Sequence, residues 1–314
     1  MNHFLGTPGI EVKAGLRFYR REDTQPVNTA FDEAKLACDM AKKDAKHSWL
    51  IYRESMGKQL LLKNHILAHF SEALQKGQIQ VYLQPCMRLL TGKLCHVEAL
   101  MRWADPRYGL LSPGIIIPVL EESGLIHELD AFMIERAVKI LHYQQENGLP
   151  LVPISVNLSS LDFFEMDPFA IAEAATERYG IPHEYLRFEL TETAVVRDKG
   201  ILSQAIQKFH RAGYQVWLDD FGSGYSSLNV LKDYPFDFLK IDMAFLKHFT
   251  QKSQDIIFSI VRMAKKTGIH TLAEGVETEE QVRFLRSIGC ECIQGYHYGR
   301  PMTCQELHDC CEQG

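Results

Sequence analysis

The sequence predicts an α/β protein: a TIM-like (β/α)8 barrel preceded by a small N-terminal α+β segment. The chain has 314 residues, 46% of them hydrophobic and 24% charged, which is enough to bury a large core. From residue 78, eight extended runs rich in aliphatic and aromatic residues alternate with helical stretches. Eight such units in about 220 residues favour a closed barrel over an open doubly wound sheet. No Gly-x-Gly-x-x-Gly turn follows the first run, which disfavours the dinucleotide-binding alternative.

Residues 1–55 predict a strand, a helix and a second strand, at 12–19, 28–46 and 49–52. Large apolar side chains are few here, so this segment makes a poor core by itself. We therefore expect it to be the end of a larger domain. The pattern of residues 56–77 predicts an amphipathic connecting helix, and residues 78–314 are predicted to form the barrel.

The eight barrel runs are residues 78–83, 94–103, 152–158, 185–191, 214–219, 236–241, 269–273 and 291–296. In TIM barrels, catalytic groups lie at the carboxyl ends of the strands. Polar residues occur in or just after every run of this chain: Gln84, Glu98, Asn157, Glu189, Glu192, Asp219, Asp220, Lys240, Asp242, Glu274, Glu277 and Gln294.

Glu98, Glu189 and Asp219 stand in apolar surroundings, where a plain core would have aliphatic residues. Polar residues also accumulate where strand ends are exposed to solvent. That would explain one or two such positions, but it would not explain an acid in nearly every strand. Burying a carboxylate costs several kcal/mol unless a partner compensates, and a divalent cation would do so. Oxygen donors suit Mg²⁺ or Mn²⁺, and two ions can activate a water for attack on phosphorus. Lys240 would stabilise the transition state, or alternatively form a structural salt bridge with Asp242 or Glu274.

Composition excludes several other classes. The net charge is −6 and no basic cluster occurs, so we expect no nucleic-acid polymer as partner. With neither an 18-residue apolar run nor a signal peptide, we expect a cytoplasmic protein without membrane contact by this segment; missing N-terminal regions could anchor the full-length protein. The eight cysteines form no C-x2-C pairs and are expected to be reduced. A soft-metal site at Cys304, His308, Cys310 and Cys311 stays open.

The ordered motifs resemble the EAL domain, the cyclic-di-GMP phosphodiesterase family, over about residues 60–305. The motifs are Gln84-Pro85, Val97-Glu98-Ala99-Leu100-Met101-Arg102-Trp103, Asn157-Leu158-Ser159, Glu189-Leu190-Thr191-Glu192, Asp219-Asp220-Phe221-Gly222, Leu239-Lys240-Ile241-Asp242, Ala273-Glu274-Gly275-Val276-Glu277 and Gln294-Gly295-Tyr296 with Gly299-Arg300-Pro301. The resemblance implies a barrel whose first strand is antiparallel to the rest. It also implies hydrolysis of cyclic-di-GMP to linear pGpG with two Mg²⁺ or Mn²⁺ ions, and pairing into a homodimer.

The resemblance also assigns roles to individual residues. The implied metal ligands are Glu98, Asn157, Glu189, Asp219 and Asp220, and the implied catalytic residues are Lys240, Glu274 and again Glu98. The implied substrate-binding residues are Gln84, Leu100, Arg102, Asp242, Gln294 and Pro301. Glu192, Gly222 and Gly224 are implied to stabilise the loop after the paired aspartates. Because Ca²⁺ is larger and accepts looser coordination, we expect it to bind without supporting turnover and so to inhibit.

Two alternatives stay open at this point. The family also contains inactive members that bind cyclic-di-GMP as receptors, and the site could act on another phosphodiester. All implied ligand positions hold the expected residue type, whereas residues 115–117 and His297-Tyr298 depart from the usual pattern. Residues 12–52 resemble, more weakly, the end of a GGDEF domain that lacks its glycine-rich signature. We therefore expect an upstream GGDEF or sensor region in a longer protein.

Overall fold

The structure is a computed structural model that describes residues 11–20, 24–197, 199–222 and 227–312. The chain divides into two compact units, Met1–Ser71 and Glu72–Gly314. None of the helices in these described ranges is long and apolar enough to cross a membrane.

The first unit contains the predicted strand, helix and strand. They are β1 (Ala14–Leu16), α1 (Val27–Lys43) and β2 (Trp49–Ile51), followed by the start of α2 (Glu54–Gln75). The two strands are parallel, and α1 packs closely on β1: a Cβ at Gly15 would lie 1.9 Å from the Ala34 carbonyl oxygen. The helix ends before predicted residue 46 because the Asp44 carboxylate accepts hydrogen bonds from the next backbone amides, of Lys46 and His47.

The second unit has nine strands in its described residues, and all of them except β5 form an eight-stranded barrel surrounded by helices. Its strands are β3 (Ile79–Arg88), β4 (Lys93–Asp105), β5 (Gly109–Leu111), β6 (Ile154–Leu158), β7 (Leu186–Thr191), β8 (Gln215–Phe221), β9 (Phe238–Ile241), β10 (His270–Ala273) and β11 (Cys292–Gln294). Its helices are α3 (Pro113–Ser123), α4 (Ile126–Glu146), α5 (Asp162–Glu165), α6 (Pro168–Tyr179), α7 (Glu192–Arg197), α8 (Lys199–Ala212), α9 (Ser227–Asp233), α10 (Ala244–Lys247), α11 (Gln251–Thr267), α12 (Glu279–Ile288) and α13 (Cys304–Glu312).

Strand pairing closes the barrel and confirms the predicted fold class. Strands β4, β6, β7, β8, β9, β10 and β11 are parallel neighbours in that order. Strand β3 is antiparallel to both β4 and β11 and joins the two edges. The predicted antiparallel first strand is therefore present. The parallel strands consequently present their carboxyl ends at one pole of the barrel.

The hairpin of β3 and β4 is longer than the sequence predicts. It pairs Ile79 with Trp103 at one end and Arg88 with Lys93 at the other, so β3 continues past Pro85, where the predicted strand has already ended. Strand β5, which is not predicted, pairs with the end of β4. Pairing on both sides of β3, rather than local apolar pattern, sets its length.

The loop from β10 to α12 is held by a capping box. The Thr278 hydroxyl accepts a hydrogen bond from the Gln281 amide, and the Gln281 side-chain oxygen accepts from the amides of Thr278 and Glu277. The Gln281 side-chain nitrogen donates to the Leu246 carbonyl at the end of α10. These bonds fix the loop that follows Glu274.

Candidate active site

Lys240 stands at the centre of a ring of carboxylates at the carboxyl-end pole. Its side chain on β9 is completely buried. The ammonium contacts Glu189 and lies 2.8 Å from Glu274 Oε1. It is 3.1 Å from Asp219 Oδ1 and 3.4 Å from Glu98 Oε2. Four acids that are up to 176 residues apart in sequence therefore share one cation, Glu98 being 142 residues from Lys240.

Glu98, on β4, is held in place by two side-chain amides. Asn157 Nδ2 donates to its Oε1 at 2.8 Å, and Gln294 Nε2 donates to its Oε2 at 2.6 Å. Burial acts to raise the pKa of Glu98, but Lys240 and the two amides outweigh burial and lower it. Glu98 is therefore a pre-oriented carboxylate that stays ionised.

Two buried oxygens in this cluster have no hydrogen-bond partner among the described residues. They are Oε1 of Glu189, whose side chain is fully buried, and Oε1 of Gln294. Burial raises the pKa of Glu189 to about 8 although Lys240 is adjacent. An unsatisfied buried acceptor costs about 1–3 kcal/mol. Both oxygens would gain a partner if a cation occupied the cluster, so the donor set fits a metal site.

The end of β8 carries Asp219 and Asp220. The Asp220 amide donates to Asp219 Oδ1 at 2.9 Å, and Asp220 has a φ of 53°, the one non-glycine residue of the described chain in the left-handed region. This strained backbone brings both aspartates to one place: single oxygens of Asp219, Asp220 and Glu274 all lie within 4.8 Å of one another. Burial, followed by the charge of Asp219, raises the pKa of Asp220 to about 6.

The loop after Asp220 is tied to α7. The Gly222 amide donates to Oε2 of the buried Glu192 at 3.2 Å. Gly222 has a φ of 96°, and a Cβ there would lie 2.5 Å from the Phe245 ring. Glu192 and Gly222, both predicted to stabilise this loop, are thus in contact, whereas Gly224 lies outside the described residues.

The predicted substrate-binding residues lie around the same pole. Gln84 pairs with Glu98 across the β3–β4 hairpin, and Leu100 pairs with Tyr82. The Arg102 guanidinium lies 5.8 Å from the centre of the Tyr82 ring. All three predicted residues are half-buried.

Two more of the predicted substrate-binding residues, Asp242 and Pro301, come after β9 and β11. Half-buried Asp242 accepts a hydrogen bond from the Ala244 amide at 2.6 Å, and its charge acts on Asp220. Half-buried Pro301 follows Arg300, whose guanidinium lies 4.2 Å from the Tyr296 ring. Tyr296 is half-exposed and was not among the predicted site residues, although an aromatic at the end of the last run was visible in the sequence.

A pair of buried acids behind Asn157 was also missed. The Ser159 amide donates to Asp162 Oδ2 at 2.9 Å and to Asp130 Oδ2 at 3.1 Å. Burial raises the pKa of Asp130 well above its usual value and that of Asp162 to about 6. The Ser-x-x-Asp spacing of 159 and 162 was a usable signal, but Asp130 comes from the distant helix α4.

Comparison with known proteins agrees with this geometry. The EAL domain family matches residues 68–301. This chain belongs to the EAL domain family. The resemblance predicted from the strand-end motifs is thereby confirmed.

Relatives are found among curated proteins of Pseudomonas aeruginosa. The bifunctional diguanylate cyclase/cyclic di-GMP phosphodiesterase MucR is 31% identical over 300 residues, 95% of this chain and 44% of MucR. The cyclic di-GMP phosphodiesterase NbdA is 32% identical over 240 residues, 76% of this chain and 31% of NbdA. The chain thus spans less than half the length of these relatives.

Solved EAL structures have the same fold. The MucR phosphodiesterase in complex with c-di-GMP matches 77% of this chain and 99% of that chain, with a TM-score of 0.73 and 33% identity. The EAL enzyme Bd1971, bound to cAMP and cyclic-di-GMP, matches 91% of this chain and 76% of that chain, with a TM-score of 0.75 and 26% identity.

Proposed function

We propose that this chain is a metal-dependent phosphodiesterase that hydrolyses one phosphodiester bond of cyclic-di-GMP to give linear pGpG. The observation that carries the proposal is the ring of carboxylates around Lys240 at the barrel pole. Its excess of negative charge suits divalent cations, and the names of the relatives MucR and NbdA supply the substrate class.

The oxygen ligands of the site could bind two Mg²⁺ or Mn²⁺ ions. Glu98, Asn157, Glu189 and Asp219 would hold one ion, and Asp219 with Asp220 would hold the second. All are oxygen donors, and Asp219 and Asp220 already lie close together. When bound, such ions lower the pKa of water and neutralise charge that develops on phosphoryl oxygens.

Lys240 acts as a hydrogen-bond donor rather than as a base. Burial acts to lower its pKa, but the surrounding carboxylates, Asp219 and Glu189 foremost, raise the pKa well above its usual value. The ammonium therefore keeps its protons, orients the attacking water and stabilises negative charge on the reacting phosphate. Glu274, 2.8 Å from the Lys240 ammonium, is in position to accept the proton of that water.

The rim residues would hold the nucleotide. The Arg102 guanidinium can bind a phosphate or guanine edge, with Leu100 and Pro301 as apolar contacts. Gln84 and Asp242 supply an amide and a carboxylate for hydrogen bonds to the substrate. Gln294 contributes chiefly by orienting Glu98, to which its amide donates.

The decisive experiment is incubation of the purified chain with cyclic-di-GMP and Mn²⁺, with separation of the products by chromatography. We expect linear pGpG, and we expect Glu98→Gln and Asp219→Asn to lower kcat by at least about 100-fold with the fold retained. Glu280→Gln, an exposed position on α12, is the matched control and should keep full activity. Full turnover by folded Glu98→Gln protein would contradict the proposal.

The same assay separates an enzyme from a receptor. A receptor would bind cyclic-di-GMP, measured by calorimetry, without forming product at any Mn²⁺ concentration. Ca²⁺ in place of Mn²⁺ should allow nucleotide binding and inhibit turnover, because its looser coordination does not hold the ligands as tightly. A Ca²⁺ rate equal to the Mg²⁺ rate would refute this part of the proposal.

We also propose that the chain pairs into a homodimer and functions within a longer protein. The relatives are more than twice as long as the segment matched, which leaves room for an upstream sensor or GGDEF region. The strand, helix and strand of the first unit would then complete the end of a GGDEF-like domain. Sedimentation of the purified chain tests the dimer: a monomer at all concentrations used in the activity assay would exclude it.

A further inference from the structure

A cluster of three cysteine side chains lies at the amino-end pole of the barrel. Its thiols come from Cys86 on β3, Cys95 on β4 and Cys292 on β11, and the three sulfur atoms lie within 4.8 Å of one another. The Sγ atoms of Cys95 and Cys292 are 3.6 Å apart although the residues are 197 positions apart in sequence. Cys86 and Cys292 are buried, and Cys95 is half-buried.

A β-bulge brings Cys95 to these thiols. Cys86 pairs with His96 and Met87 pairs with Leu94, so Cys95 is an extra residue on β4. A bulge redirects a side chain that would otherwise alternate to the other face. The Sγ of Cys95 consequently lies 3.8 Å from Nδ1 of the buried His96.

The distances resemble those between ligands of one tetrahedral ion. With a Zn–S bond of about 2.3 Å, two thiolates on the same Zn²⁺ lie about 3.8 Å apart. The sulfur pair of Cys95 and Cys292, at 3.6 Å, is close to this value. Three thiols form a donor set that soft and borderline metals prefer to Mg²⁺.

The surroundings compensate the charge of such a site. A cavity of about 140 Å³ adjoins the cluster and is lined by Arg88 and Arg187 as well as by Cys95, His96 and Cys292. Arg187 Nε is buried without a hydrogen-bond partner among the described residues, and its guanidinium lies 5.1 Å from the Trp217 ring. Three thiolates on one divalent ion leave one negative charge, which an adjacent guanidinium neutralises.

We propose that Cys86, Cys95 and Cys292 form a site for one Zn²⁺-like ion, separate from the acidic cluster. The ligands lie on β3, β4 and β11, the strands that also carry Gln84, Glu98 and Gln294. A bound ion would tie the antiparallel strand to both neighbours at the seam of the barrel. Binding releases the thiol protons to solvent, since thiolates are the ligands.

The test is titration of the purified chain with Cd²⁺ in the presence of excess Mg²⁺, followed by the ultraviolet absorption of cadmium–thiolate charge transfer. Oxygen ligands in the acidic cluster do not give this band. We expect saturation at one equivalent, and displacement of Cd²⁺ by Zn²⁺. In Cys292→Ala, the band should fall by about one third or vanish, because one of three thiolates is missing.

Two controls and a second variant keep the test decisive. Cys290→Ala removes a buried thiol whose sulfur donates to the Cys292 carbonyl and lies outside the cluster, and it should keep the band. Replacing Cys304, Cys310 and Cys311 together with alanine should also keep it. If Cys292→Ala does not fold, half-buried Cys95→Ala serves instead. Absence of a band at one equivalent in the unmodified chain, or its loss in the triple variant, would overturn the proposal.

Discussion

At the scale of single residues, Lys240 is the cation on which the acidic cluster depends. It is fully buried and contacts four carboxylates. Removing one partner of a buried ion pair typically costs about 3–5 kcal/mol, because the charges left behind remain desolvated. In the absence of metal, replacing Lys240 should therefore lower the free energy of unfolding more than replacing any surface lysine.

We expect Lys240→Met to abolish turnover and to lower the free energy of unfolding in EDTA by about 3–5 kcal/mol. Added Mn²⁺ should restore stability to the variant more than to the unmodified chain, because the ions replace the missing positive charge. Urea unfolding with EDTA or Mn²⁺ measures both effects. Lys139→Met, which breaks a partly exposed pair with Glu135, is the control and should change stability by less than about 1 kcal/mol. Equal losses in the two variants would contradict this role.

The acids behind Asn157 make a pH-dependent contribution. Burial raises the pKa of Asp162 from 3.8 to about 6. Between these two pH values the carboxyl is protonated in the folded state and ionised in the unfolded state. The resulting destabilisation is absent below pH 3.8. It grows as pH rises through that value and is complete above about pH 6, at up to about 3 kcal/mol.

Asp162→Asn should remove the part of this pH dependence that comes from Asp162, because asparagine keeps the shape without ionising. Relative to the unmodified chain, the variant should gain unfolding free energy as pH rises from below 3.8 to above about 6. Urea unfolding at several pH values measures the difference. Asp255→Asn on the exposed face of α11 is the control, and a flat difference curve for Asp162→Asn would show that burial does not raise the pKa of Asp162.

At the scale of elements, the end of β8 and its loop are shaped by backbone conformation. Asp220 and Gly222 both have a positive φ. The carboxylate of Glu192, at the start of α7, accepts a hydrogen bond from the Gly222 amide. No side chain fits at 222, since the Phe245 ring of α10 occupies the place of its Cβ. The position of Asp219 and Asp220 thus depends on packing between α7, β8 and α10.

We expect Gly222→Ala to destabilise the protein by about 1–3 kcal/mol and to lower kcat, because both the positive φ and Phe245 oppose a Cβ. Gly114→Ala is the matched control: a Cβ there has open space and an ordinary helical φ, so stability should stay the same or rise slightly. Thermal unfolding and the chromatographic assay measure the two effects. Unchanged activity of Gly222→Ala would show that the loop conformation does not position the aspartates.

At the scale of the whole molecule, all predicted site residues lie in the second unit, Glu72–Gly314. The first unit supplies none of the carboxylates around Lys240. A chain that begins at residue 54, with the complete helix α2, should therefore fold and keep its Mn²⁺-dependent turnover within about two- to threefold. The assay on this shortened chain checks it, and loss of activity in a folded product would assign the first unit a direct role in catalysis.

The barrel and its acidic pole could be predicted from the sequence because both depend on local pattern. Alternating strands and helices specify parallel neighbours, and parallel strands bring their carboxyl ends to one pole. Glu98, Glu189, Asp219 and Lys240 could therefore be assigned to one cluster without knowledge of distances. The contact of Lys240 with four acids at once, rather than with Asp242 or Glu274 alone, required the structure.

Other features were decided only by tertiary structure, because they depend on which distant segments meet. Asp130 joins Asp162 from another helix, and the bulge at Cys95 follows from pairing β3 with β4 residue by residue. Closure of the barrel by an antiparallel strand then brings Cys86 and Cys292 to Cys95. Sequence alone determined the periodicity and the chemistry at each strand end; register and closure, which depend on long-range pairing, determined which side chains touch.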